Sequence, residues 1–170
     1  TERGGKMFFY DDFIKKVEKA KVDYKPLKKY TLEGKKMIVW LGTGIPLVLI
    51  GVLQGYIGYI KNFSVPYLVI AILLLFLGAK HLRNIFKYKI ILDCENKKIL
   101  GQGLNLPFNE IDTCTLKEAT VGKNNRLQVI IRIVTSDRRE IIIPLIMGNK
   151  IDFICTLRDE LKSKFSIIKG

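Results

Sequence analysis

The chain has 170 residues and a formal net charge of +13, from 29 Lys and Arg against 16 Asp and Glu. Its mean hydropathy of +0.16 is too low for a polytopic transporter and high for a soluble domain. Cys94, Cys114 and Cys155 are scattered with no CxxC pair, which excludes a disulfide framework or a zinc site and reads as reduced cytosolic thiols.

Residues 1–36 carry Arg3 and ten lysines. Within them Phe9, Phe13, Val17, Ala20 and Tyr24 recur at spacings of three and four, with charged residues between. This predicts an amphipathic helix over residues 8–24, ending before Pro26. Two placements are open for it: in the headgroup plane with Lys15, Lys16 and Lys19 toward lipid phosphate, or packed on the cytoplasmic domain or on a partner.

Residues 37–60 then run without a formal charge, and after Lys61 and Asn62 a second apolar run covers 63–79. As helices they would measure roughly 36 Å and 26 Å. A hydrocarbon core is about 30 Å thick, so the pair predicts a transmembrane hairpin, residues 37–79, with almost nothing on the far side. Lys28, Lys29, Lys35 and Lys36 precede it and Lys80, Arg83, Lys87 and Lys89 follow, whereas the turn holds only Lys61. The positive-inside rule therefore expects both termini in the cytoplasm. Gly51, Gly55 and Gly58 share a stripe on the first span, where glycine permits close backbone approach. Ala71 and Gly78 of the second span are the expected partners, with a second subunit as the alternative. Pro46 removes the hydrogen bond to the Gly42 carbonyl, which predicts a kink there, and Thr43 could partly compensate the freed carbonyl.

The remainder predicts a β-rich domain over residues 84–170. Strands are expected at 88–92, 98–104, 111–117, 127–135 and 140–145, with a hairpin turn at 136–139 and a polar loop at 122–126. A closing helix is expected over 149–164, capped by Asn149 with Asp152 in the capping-box manner. Its stripe would hold Ile151, Ile154, Leu157 or Arg158, Leu161, Phe165 and Ile168.

The segment from Leu106, Pro107 and Phe108 through Asn109, Glu110, Ile111 and Asp112 resembles the proline-led turn of bacterial pleckstrin-homology-like domains. So does the strand pair at 127–135 and 140–145 followed by a final helix. The likeness covers residues 88–166 and lies in the order of elements. It implies an α+β fold, an antiparallel, partly open barrel closed by a C-terminal helix, joined here to a two-helix transmembrane hairpin. Such domains act as membrane-associated binding or oligomerisation modules without catalytic residues. Five of the seven strands of a full domain are legible. The first hairpin loop, 93–98, balances its lysines with acids and lacks a strand-borne arginine, so no phosphoinositide site carries over. A generic contact of Lys97, Lys98, Arg138 and Arg139 with acidic lipid is the weaker expectation beside plain turn solubility.

His81, the only histidine, lies at the end of the second span, and no His-supported nucleophile, HExxH or P-loop is present. No enzyme, cofactor, metal or small-molecule substrate is expected. Net charge alone does not make a nucleic-acid binder. The expected partners are membrane lipids and other membrane subunits or further copies of the chain. The sequence thus reads as an accessory or assembly subunit of an inner-membrane complex, with a free-standing lipid-binding or self-associating module as the alternative.

Overall fold

A computed structural model describes residues 3–101, 103–121 and 126–168. The chain falls into two units, Leu32–Lys89 and a second formed by Thr1–Thr31 together with Ile90–Gly170. The domain limits thus differ from those expected from sequence. The N-terminal segment is not separate: helix α1 (Arg3–Lys19) and strand β1 (Leu27–Thr31) belong to the β unit, and the apolar hairpin is inserted after β1.

The inserted unit consists of α2 (Gly34–Ile60) and α3 (Val65–Lys87). Each is long and apolar enough to cross a membrane, and only 11% of each apolar window is buried, unlike the core helix of a soluble protein. α3 continues past the apolar run through Lys80 and Arg83, because long basic side chains at a helix end keep their charges in water while their stems stay on the apolar surface. The turn is tight. Asn62 and Phe63 take left-handed φ of 51° and 58°, and Lys61 N–H and Ser64 N–H close on the Ile57 and Gly58 carbonyls. α2 runs unbroken through Pro46. Thr43 does not serve the Gly42 carbonyl. Its hydroxyl donates to Trp40 O at 2.8 Å, the backward reach natural to a helical threonine.

The β unit contains two four-stranded sheets. The first has the order β1-β2-β3-β4, with β2 (Lys89–Asp93), β3 (Lys98–Gly101) and β4 (Leu104–Pro107). The single strand expected at 98–104 is in fact a hairpin. Gly101 pairs with Leu104, and Gly103 adopts φ +84°, a turn conformation that glycine reaches at no steric cost. The second sheet has the order β7-β6-β5-β8, with β5 (Ile111–Val121), β6 (Arg126–Thr135), β7 (Glu140–Pro144) and β8 (Phe165–Ile167). Within it Leu116 faces Ile131, which faces Ile143. Together with Leu92, Ile99, Ile111 and Phe153 these side chains form a core almost closed to solvent. Burial of each is worth about 1.5–3 kcal/mol. Of the loop expected at 122–126, Arg126 already belongs to β6, and the rest lies outside the described residues.

α4 is shorter than expected, Lys150–Leu161. Lys162 takes φ 47°, which ends the helix, and Phe165–Ile167 becomes β8, parallel to β5 with Phe165 opposite Cys114. Asn149 lies at the N-cap in the left-handed region and its side chain makes no capping bond, so the expected capping box is absent.

α1 also differs in its face. The buried stripe is Tyr10, Ile14 and Val17, whereas Tyr24 lies beyond the helix end and is exposed; the Phe9 side chain lies outside the described set. The helix is fixed by polar contacts. The Tyr10 hydroxyl shares its proton between Ile168 O at 2.8 Å and Leu116 O at 3.2 Å. Arg158 Nη1 and Cys155 Sγ on α4 both donate to Val17 O. Of the two placements open for this helix, the structure takes packing on the β unit.

Candidate functional site

The glycine stripe is used inside the hairpin. A Cβ on Gly51 would lie 2.9 Å from Leu75 Cγ, one on Gly58 3.1 Å from Leu68 Cδ2, and one on Gly78 2.7 Å from Val48 Cγ2 and 3.1 Å from its backbone nitrogen. Gly55 faces Ala71 at an ordinary 3.6 Å. Gly44, not singled out from sequence, is as tight, 2.7 Å from Leu82 Cδ2. Its signal was the seven-residue spacing of Gly44, Gly51 and Gly58, the repeat that keeps one helix face on its neighbour. At one end of this seam His81 Nε2 lies 3.0 Å from both Thr43 Oγ1 and Trp40 O, tying α3 to α2.

The seven basic residues singled out from sequence lie on α1 and at two β-hairpin turns. Lys15, Lys16 and Lys19 line a shallow hollow of about 410 Å³ with Asp12 and Ala20, and Lys15 Nζ is 3.9 Å from Asp12. Lys97 sits at φ 49° in the β2–β3 turn, and Lys98 begins β3 opposite Pro107. Arg138 sits at φ 62° in the β6–β7 turn. Arg139 is held by Asp137 at 2.5 Å and lies 4.0 Å from Glu110. The Thr135 hydroxyl, donating to Asp137, is the main cause of that carboxyl's lowered pKa, with Arg139 adding to it. Of the turn cations, Arg139 therefore has structural work of its own.

A different cluster is better built. On β1, Lys28 and Tyr30 point inward, and the Lys28 side chain is only 6% exposed. Its ammonium donates to Asp152 Oδ1 at 2.9 Å and to Thr156 Oγ1 at 3.0 Å. Tyr30 donates to Asp152 Oδ2 at 2.6 Å, and its ring meets Phe153 edge-on at 5.0 Å. The Thr156 hydroxyl donates onward to the Asp152 carbonyl. Burial first, then the bond to Asp152, push the Tyr30 phenol well above its ordinary range and keep it a donor. Beside the cluster is a cavity of about 590 Å³ lined by Lys21, Asp23, Lys25, Leu27, Lys28, Lys29, Tyr30, Asn149 and Asp152. Sequence reasoning missed it because β1 itself was missed.

The thiols are poor nucleophiles. Burial pushes Cys114 up to about 12 and raises Cys94 and Cys155 as well. Among the described residues no group of three or more His, Cys, Asp or Glu could hold a metal ion. No protein-family model, curated protein or solved structure matches the chain.

Proposed function

We propose that the chain is a non-catalytic accessory or assembly subunit of a bacterial inner-membrane complex, anchored by the α2–α3 hairpin with both termini in the cytoplasm. The observation that carries this reading is the insertion of an apolar hairpin between neighbouring strands of one β unit. An anchor placed there is joined to the β unit by two chain connections. The glycine seam is already occupied within the hairpin, so outer side chains such as Leu49, Leu53, Ile72 and Phe76 remain for lipid or for neighbouring spans. In the β unit, edge strand β7 carries Ile142 at 49% exposure, beside which a partner strand could add. Four strands, then three, then a helix is the order that supports the pleckstrin-homology-like reading. The excess of Lys and Arg on both flanks of the hairpin supports the orientation.

Gentle detergent extraction of the tagged chain from its native membrane, followed by sizing and mass spectrometry, tests the proposal. Stoichiometric companions support a subunit. A chain that elutes alone, or only with its own copies, contradicts it.

A further inference from the structure

We propose that the cavity beside Lys28 is a binding site for a phosphate group, supplied by a phospholipid headgroup or by a free phosphate ester. Its volume falls within the roughly 300–1,000 Å³ of small-ligand sites. Four of its nine lining residues are lysines, against two aspartates. Asp152 is already committed, one oxygen to Lys28 and the other to Tyr30. That leaves Asp23 against Lys21, Lys25 and Lys29, for which no salt bridge is formed among the described residues.

An independent observation points the same way. An ammonium has three donors. Lys28 uses two, on Asp152 and Thr156, and the third has no acceptor among the described residues, although the side chain lines the cavity and is nearly fully buried. An anion in the cavity would give that donor a charged acceptor. Asn149 adds to the fit. It lines the cavity at the start of α4, a helix N-terminus where an anion is favoured. Lysines, as mobile point charges, suit phosphate without demanding one planar geometry.

The test uses the full chain purified in mild detergent, with two probes. One is retention of phosphatidylglycerol over phosphatidylcholine in native mass spectrometry; the other is the shift in thermal midpoint on adding inorganic phosphate. Lys28 is left in place, since its loss would strand the Asp152 carboxylate. The variant Lys25→Glu with Lys29→Glu is compared with Lys15→Glu and Lys16→Glu, which carries the same change of charge in the α1 hollow. The proposal expects the first variant to weaken binding roughly tenfold or more and the second to leave it nearly unchanged. Lipid retention without a phosphate shift assigns the headgroup as the source, and the reverse assigns a free phosphate ester. Binding of neither probe, or equal loss in both variants, overturns the proposal. Neither result depends on whether the chain has protein partners.

Discussion

At the scale of single residues, Lys28 and Asp152 join parts of the chain far apart in sequence. Their hydrogen bond spans 124 positions, and Tyr30 shares the same carboxylate. Asp152→Ala leaves a buried ammonium and a buried phenol without their acceptor, and should lower stability by about 2–3 kcal/mol in thermal unfolding of the full chain. Lys28→Met with Asp152→Leu should recover much of that loss, because it removes both charges together. Tyr10 makes a second residue-scale prediction. Burial foremost, then Glu118 and Asp11, push its pKa from 10.0 up to about 12. The fold holds the neutral phenol, so this contribution is complete below pH 10 and is lost as pH rises from 10 toward 12. Tyr10→Phe should cost about 1 kcal/mol at neutral pH and flatten the alkaline fall, as read from unfolding midpoints across that range. These residues also explain what the sequence concealed. In β1 the inward positions are a lysine and a tyrosine, while Leu27 faces out. A reading that places apolar side chains inside inverts that strand, and only α4, more than a hundred residues later, supplies the carboxylate that makes Lys28 an interior residue.

At the scale of elements, the hairpin was the most legible part, because an uncharged run of this length has few other uses. Its helices differ from the apolar runs where charge begins and at Phe63 and Ser64, which the tight turn takes up. The seam between them gives a sharp test. Gly78→Ile places a branched side chain where even a Cβ would lie 2.7 Å from Val48, and overpacking of this kind costs about 1–3 kcal/mol. Gly42→Ile enters open space, with nothing within 4 Å. Thermal aggregation in detergent should begin earlier for the first variant and be nearly unchanged for the second. The other elements were legible in proportion to their local patterning. The β6–β7 hairpin was read correctly because its turn residues lie between alternating apolar strands. The end of α4 was not: Phe165 continues the helical spacing, but Lys162 turns the chain, and β5 offers a backbone edge that Phe165–Ile167 joins. α1 was found, but its face was misjudged. Tyr10 is polar in a binary pattern, yet two backbone carbonyls accept its hydroxyl and make it the anchor.

At the scale of the whole molecule, the β unit is assembled from both sides of the insertion. A fragment of residues 84–170 lacks α1 and β1, which exposes Val17's contacts on α4 and leaves Asp152 without Lys28 and Tyr30. It should fail to unfold cooperatively. Residues 1–31 joined by a short turn to 90–170, with the hairpin omitted, restore those partners and should give a soluble unit with a single thermal transition by circular dichroism. Cooperative folding of the shorter fragment would show that β1 is dispensable. This division was not legible in sequence because β1 is five residues long and precedes the strongest apolar signal in the chain.

The proposed anchoring is tested most directly by cysteine labelling in intact cells with a membrane-impermeant maleimide. The account predicts that Asn62→Cys, in the α2–α3 turn, is labelled from outside, and that Asn96→Cys, in the β2–β3 turn, is labelled only after the membrane is opened. Labelling of both positions in intact cells, or of Asn96→Cys alone, would contradict it.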